Sequence, residues 1–426
     1  MSVPDGPLSF ADLAGLRVGV WGTGVEGQAT LRRLAADGIE PAAVVDGDGE
    51  EALDALRGCD VVVKSPGISP YDGPAVALAG AGVHLVGGLG LWLAGAPVDR
   101  VVCITGTKGK STTTSIAGAL IRGLGYTCLT GGNLGSPPWD PELEPTDWYV
   151  VEVSSYQAHD LRSGPRVVVV TSLGEDHLTW HHGVENYVRD KLSLCTLPGV
   201  EVVVAPAGDP GLARHRALLG EHVVEVDRTP GQDAWVDELG ILGEHNRRNA
   251  LLAREALVRL GVPGADDDAA IAAAARDYTP LRSRLTRLGA VGDVEFVDDS
   301  LSTNTLPTLA AVDAFAGRRV ALLVGGHDRG IDYVPLAEGL AARPDPLLVL
   351  TLPDNGPRIE AALAEHAPGV ETRPAVDLVD AVAAAYDWAK PDGVVLLSPA
   401  APSFGRFKDY RERADVFEAA MRDLEA

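Results

Sequence analysis

Apolar residues along the chain fall into short unbroken runs. They include Leu16–Trp21, Ala42–Asp46, Cys59–Lys64, Val101–Thr105, Trp148–Val153 and Arg166–Thr171, then Val294–Asp299, Ala321–Gly326, Leu347–Leu350 and Gly393–Ser398. Continuous runs, rather than alternation, predict strands covered on both faces, as in parallel sheets. Longer segments between them suit helices, such as the alanine-rich stretch from Asp268 to Asp277. The pattern is α/β throughout, and 426 residues suggest about three domains. Small residues and a proline from Ala94 to Arg100, and Tyr278-Thr279-Pro280, mark the expected boundaries. The division is 1–96, a Rossmann-like domain; 97–278, a central phosphate-loop domain; and 279–426, a C-terminal Rossmann-like α/β domain.

Several strand ends carry polar groups, and ligands of open α/β sheets bind there. The strand at Val101 runs into Gly106-Thr107-Lys108-Gly109-Lys110-Ser111-Thr112. Backbone N–H groups of such a turn can face phosphate oxygens, Lys110 can neutralise them, and the Ser111 or Thr112 hydroxyl can hold Mg²⁺. ATP is the expected ligand. The loop is a shortened variant, because Ile104 stands where the common form has its first glycine.

The first domain opens with Gly22-Thr23-Gly24-Val25-Glu26-Gly27 after a strand, and Asp46 ends the next strand about twenty residues on, a Rossmann-like arrangement. A third strand enters Ser65-Pro66-Gly67-Ile68-Ser69. This unit lacks the second half of a dinucleotide fold, so a mononucleotide fits it better than NAD. An oxidoreductase reading would rest on that glycine turn alone.

Further polar groups follow other strands. Glu152, with Ser154 and Gln157 behind it, is suited to Mg²⁺ and a polar substrate group, and Glu175-Asp176-His177 offers hard oxygens beside an imidazole. Lys191 lies on an expected helix, where by itself it resembles a surface lysine. Asn246 and Asn249 are three apart, hence on one helix face.

Charge narrows the partners. A net charge of −24 disfavours nucleic acid and anionic membranes, which need a basic surface, and favours small-molecule substrates. Cys59, Cys103, Cys128 and Cys195 are widely spaced and mostly in apolar runs, as expected of reduced core residues. No leader-like or membrane-length apolar segment is visible, so a soluble cytoplasmic monomer is expected.

These segments together resemble the Mur ligase family of ATP-dependent peptidoglycan-precursor ligases, over essentially the whole chain. The resemblance rests on Gly106-Thr107-Lys108-Gly109-Lys110-Ser111, Glu152-Val153-Ser154-Ser155-Tyr156-Gln157 and Glu175-Asp176-His177. It extends through His245-Asn246 with Asn249-Ala250, Arg284, Asp299-Ser300 with Thr303-Asn304, and Ser398 to Phe404 with Phe407, Tyr410 and Arg413. It implies that the first domain binds UDP through Gly24, Asp46 and Gly67. Lys110, Ser111, Thr112, Glu152 and His177 would hold ATP and two Mg²⁺ ions, with Asn246 and Asn249 also at the nucleotide. Asn133, Ser154 and Gln157 would meet the muramoyl-peptide. Lys191 would carry a CO₂-derived carbamate that ligates metal. Arg284 would reach the phosphates and Asp299 the ATP ribose, while Thr303, Arg329, Ser403 and Tyr410 would form a glutamate pocket. Lys110, Lys191, His177 and Arg284 would be catalytic. The implied substrates are UDP-N-acetylmuramoyl-L-alanine and glutamate, joined through an acyl phosphate as the domains close about pivots near residues 97 and 279.

Departures from the family pattern cluster in the glutamate domain. Leu301 and Arg329 stand where lysines are common, Tyr410 replaces a phenylalanine and Ala401 a cysteine. Arginine grips a carboxylate with two prongs, whereas lysine is a point charge. Gly325-Gly326-His327-Asp328-Arg329-Gly330 resembles the branch that adds L-glutamate, so L-glutamate is expected rather than D. Lys108 and Ser172 replace expected asparagines. The alternatives are a D-glutamate-adding enzyme, a folylpolyglutamate synthetase, which lacks a UDP-type first domain, and a phosphate-loop switch that hydrolyses ATP without an acceptor.

Overall fold

The computed structural model describes residues 3, 6–227 and 233–424. The chain forms two compact units, one of residues up to 239 together with 248–278, the other of 240–247 together with 279 onward.

The first unit holds two parallel sheets. One has the order β2-β1-β3-β4, with β1 Val18–Trp21, β2 Ala43–Val45, β3 Val61–Lys64 and β4 His84–Gly87. The other comprises β5 Val101–Thr105, β6 Cys128–Gly132, β7 Trp148–Glu152, β8 Val167–Val170, β9 Val202–Pro206 and β10 Val223–Val226, ordered β10-β9-β8-β5-β7-β6. Every residue of β5 and β8 is buried, which accounts for their unbroken apolar runs. Between these sheets, the Ala94–Arg100 stretch ends in a single 3₁₀ turn, Val98–Arg100. One apolar cluster, including Val20, Leu91, Cys103 and Trp139, spans both sheets. Gly88 lets Trp139 in, since a Cβ there would lie 2.5 Å from the indole.

The second unit is a mixed sheet, β11-β12-β16-β13-β14-β15, with β11 Thr286–Val291, β12 Val294–Asp298, β13 Val320–Val324, β14 Leu347–Thr351, β15 Glu371–Pro374 and β16 Val394–Leu397. Only β11, at the edge, is antiparallel to its neighbour. Among the described residues no helix is long and apolar enough to cross a membrane. The four cysteines are free; Cys128 is partly exposed and the other three are buried.

Candidate functional site

In the first unit, β5 lies between β7 and β8, and the carboxyl ends of all three meet at one sheet edge. The chain leaves β5 through Gly106 at φ 139° and reaches Gly109 at φ 89°, conformations that L side chains rarely adopt. Space is closed there as well. A Cβ on Gly106 would be 2.1 Å from Thr171 Oγ1, and one on Gly109 would be 2.5 Å from Asn249 Oδ1. Gly109 caps the helix Lys110–Gly123, so no capping side chain competes for its first-turn N–H groups, which can face an anion. Lys110 Nζ curls over the turn onto the carbonyls of Gly106 (3.0 Å) and Thr107 (3.2 Å).

The loop is clamped to the segment after β8. Thr107 Oγ1 donates to Gly174 O at 3.2 Å and lies 2.8 Å from Tyr187 Oη. The two departures from asparagine meet through the main chain, Ser172 Oγ accepting the Lys108 backbone N–H at 3.0 Å. Lys108 Nζ pairs with Asp176 at 3.0 Å, which helps to hold that carboxyl below its ordinary range against the burial that raises it.

Glu152 is 1% exposed at the end of β7. Its Oε1 accepts from Asn133 Nδ2 at 2.5 Å, whereas Oε2 is buried with no partner. An orphaned, solvent-excluded carboxylate oxygen is costly unless something cationic meets it. Among the described residues no three His, Cys, Asp or Glu side chains gather as in a preformed metal centre. Mg²⁺ does not need one, since it binds through one or two protein oxygens and completes its shell with water and phosphate. Glu152 and the Ser111 hydroxyl therefore fit Mg²⁺.

His177 adopts φ 54°, a left-handed conformation uncommon outside glycine. Burial lowers its pKa, favouring the neutral imidazole. Lys191 is almost fully buried, donates to Gly106 O at 2.9 Å, and among the described residues forms no ion pair. Burial, and then the nearby Lys110, push its pKa well below the lysine range. Ser154 and Gln157 cap each other around the helix Ser155–Asp160: Ser154 Oγ accepts the Gln157 N–H (3.1 Å) and Gln157 Oε1 accepts the Ser154 N–H (2.9 Å). Ser155 Oγ, His181 and Asp190 make a serine–histidine–aspartate series with both links at 2.8 Å. At 2% and 0% exposure for Ser155 and His181, no substrate reaches it, so its role is structural.

Gly24, Asp46 and Gly67 line a cleft of about 450 Å³ beyond the ends of β1, β2 and β3. Thr23 N–H donates to Asp46 Oδ1 at 3.2 Å. Gly27 lets the helix Val25–Ala36 approach the turn, since a Cβ there would lie 1.9 Å from Gly22 O. Glu26 Oε1 accepts from Gln157 Nε2 at 2.7 Å. Burial raises the Glu26 pKa to about 7, with the Gln157 hydrogen bond and Lys64 opposing and Asp160 reinforcing the rise. The folded pKa exceeds the ordinary 4.5, so this group's stabilising contribution is complete below about 4.5 and is lost as pH climbs through about 7. Glu26→Gln is therefore expected to raise the urea midpoint over the parent at pH 8 and to leave it unchanged near pH 4. Equal midpoints at pH 8 would rule this out.

In the second unit, Asp299 follows β12. It accepts from Leu285 N at 3.1 Å and Ser398 Oγ at 2.7 Å, and burial raises its pKa to about 7 against hydrogen bonds from Ser398 and Ser302 and the nearby Arg284. Ser283 and Leu285, either side of Arg284, are both left-handed, at φ 60° and 52°. Thr303 and Arg329 are exposed, Ser403 is buried, and Tyr410 starts the helix Tyr410–Asp423. The Arg329 guanidinium lies 5.5 Å over the Phe404 ring. Asn249 lies in the first unit against Gly109, as its distance from a Cβ there requires, while Asn246, assigned to the second, donates to Leu242 O at 2.9 Å. Sequence reasoning gave Arg413 no role. It is wholly buried and joins two loops, donating to Ser300 O at 2.7 Å and Ala401 O at 3.2 Å, with its pKa lowered by burial to about 10.

A turn suited to phosphate, an unmatched carboxylate and a buried lysine thus lie at one sheet edge, beside a separate nucleotide-sized cleft, an arrangement that can accommodate a nucleotide with Mg²⁺. The profile of the Mur ligase middle domain matches residues 104–236. The chain belongs to the Mur ligase family. It is 39% identical to a UDP-N-acetylmuramoyl-L-alanine–L-glutamate ligase of Micromonospora sp., covering 98% of each chain. It is 40% identical to the protein of that name from Xanthomonas axonopodis pv. citri, covering 96% of each. Its fold is similar to the UDP-N-acetylmuramate–alanine ligase of Thermotoga maritima, with TM-score 0.58 and 16% identity over 96% of this chain and 99% of that one. The likeness to the folylpolyglutamate synthase of Mycobacterium tuberculosis, with TM-score 0.53 and 18% identity, covers 92% of that chain but only 75% of this one.

Proposed function

We propose that the protein joins L-glutamate to UDP-N-acetylmuramoyl-L-alanine in an ATP-dependent step of peptidoglycan precursor synthesis in the cytoplasm. The observation that carries this reading is identity of 39–40% over nearly the whole chain to proteins named for that activity. The first sheet would take UDP in the cleft at Gly24, Asp46 and Gly67, the central sheet ATP, and the second unit glutamate through Thr303, Arg329, Ser403 and Tyr410.

A carboxylate resists amines because its carbonyl is electron-rich and its leaving group poor. The alanyl carboxylate oxygen therefore attacks the γ-phosphorus, the bond to the β-phosphate oxygen breaks, and ADP departs from an acyl phosphate. The free amine of glutamate then adds to the activated carbonyl, and the tetrahedral adduct expels phosphate to leave the amide. Lys110 and Arg284 act where charge builds on the transferring phosphoryl group, and the N–H groups of the turn orient it. Mg²⁺, held by Ser111 and Glu152, with a second ion at His177 and a carbamate on Lys191, would neutralise phosphate charge. Asn133, Ser154 and Gln157 would align the peptide end of the donor.

Arg329 favours the L-glutamate assignment, since a planar fork in place of a point charge changes how a carboxylate is held. The test supplies the donor, Mg–ATP and each glutamate enantiomer separately while phosphate release is followed. Release is expected only with donor and L-glutamate together. ATP hydrolysis indifferent to both would overturn the ligase reading, and turnover with D-glutamate alone would overturn the stereochemical one.

A further inference from the structure

The loop after β3 does two things at once. Its inner side lines the nucleotide cleft with Ser65, Gly67, Ser69 and Asp72. Three of these residues, with Tyr71 between them, also bind the segment that carries His177 and Lys191. Ser69 Oγ donates to Trp180 O at 2.7 Å, Trp180 Nε1 donates to Gly67 O at 3.0 Å, and His182 Nε2 lies 2.8 Å from Asp72 Oδ1. Tyr71 is the deepest link. Its hydroxyl lies 2.9 and 2.8 Å from the two oxygens of Asp190 and accepts from Arg189 Nη2 at 2.7 Å.

Asp190 is buried and is gripped from two further sides. His181 Nδ1 lies at 2.8 Å, His159 Nδ1 at 3.2 Å, and through His181 Nε2 the network reaches Ser155 at the start of the helix behind Glu152. The indole of Trp180 stacks on Tyr156, centroids 4.3 Å apart. The residue after Asp190 is Lys191, whose amine rests on Gly106 O of the ATP turn. A series of short contacts, with one step along the backbone from Asp190 to Lys191, thus runs from the wall of the nucleotide cleft to the phosphate turn.

We propose that Tyr71 is a positioning residue through which filling the nucleotide cleft and filling the ATP site strengthen each other. It acts through Asp190 on Lys191, and the proposal rests on the functional reading above, with a uridine nucleotide in the cleft. Immobilising the loop around a nucleotide fixes the Tyr71 hydroxyl, which fixes Asp190 and the start of the Lys191 side chain. By linkage, the two ligands change each other's affinity by the same factor.

Calorimetry on the full chain tests it, titrating a non-hydrolysable Mg–ATP analogue without and with saturating UDP. UDP is expected to tighten the analogue by about fivefold or more. Tyr71→Phe, which keeps the ring and loses only the hydroxyl, is expected to bind each ligand alone as the parent does while the mutual factor falls to one. In the full reaction its kcat drops with KM for glutamate unchanged. Trp180→Phe, which keeps the stacking and loses the N–H to Gly67, is expected to lose part of the factor. Undiminished coupling in Tyr71→Phe, or none in the parent although UDP binds, overturns the role of Tyr71 and leaves the ligase reading intact. Failure of the parent to bind UDP at all overturns both.

Discussion

Lys191→Ala is expected to lower the ligation rate by roughly 10²–10³-fold, the range seen when one preorganised charge-stabilising group is removed. The chemical reason lies in the contrast between this lysine and an ordinary structural one. It is buried and hydrogen-bonded to a backbone carbonyl, and it lies in the same pocket of charge as Lys110 and Lys108. A second cation so close to the phosphate turn would serve only as redundant charge. A carbamate built on its nitrogen would instead supply an anionic oxygen beside His177 and Glu152, where Glu152 Oε2 stands without a partner. Truncating a buried side chain also leaves a cavity, so lost activity alone would not separate chemistry from packing. Two further measurements do. Added acetate should restore part of the rate in Lys191→Ala, which packing damage would not allow. Protein equilibrated with ¹³C-bicarbonate should show a carbamate resonance that the variant lacks. Full activity in the variant would remove the modified lysine from the mechanism.

How far these features are readable from sequence depends on whether they are local. β5, β8, β13 and β16 are covered on both faces, and their apolar runs declare them. The edge strands β11 and β15 present mostly polar or partly exposed residues, so no run marks them, and the antiparallel β11 passes unnoticed. The phosphate turn is legible because its glycines, lysine and hydroxyls are consecutive. The pairing of Asn133 with Glu152 is not, because it arises from register, Gly132 lying opposite Glu152 in the parallel pair β6 and β7. Lys191 reads as a surface lysine on a helix, and only the tertiary fold, which sets it against Gly106 and Tyr187, buries it. Tyr71 to Asp190 and Glu26 to Gln157 join positions 119 and 131 residues apart, and no local pattern encodes either. Arg413 shows the same limit: its motif position is visible, but its grip on two loop carbonyls needs the folded sheet.

Lys64→Ala is expected to destabilise the protein by about 3–5 kcal/mol, the cost of breaking a buried ion pair by removing one partner. Lys64 ends β3, its side chain 1% exposed, and its ammonium meets Asp160 at 2.6 Å, itself 6% exposed. The Asp160 carboxylate is held against the start of the helix Gly88–Gly95, for a Cβ on the preceding Gly87 would lie 3.2 Å from its Oδ2. Without the ammonium, Asp160 is left as a solvent-excluded charge, and the neighbouring Glu26 loses a cation that lowers its pKa. The effect should be read as a fall in urea midpoint, monitored at pH 8, above the Glu26 pKa of about 7. A structurally conservative double replacement, Lys64→Met with Asp160→Leu, should recover most of the loss, because the pair is then removed as a whole and Asp160 leaves no unmatched charge. A single-variant loss no larger than the roughly 0–1 kcal/mol of an exposed pair would mean that water reaches Asp160 after all. Should the double variant recover its midpoint, the ion pair's contribution is one of matching charges, and the joint between the first two sheets is held by the apolar cluster around Trp139 rather than by the bridge.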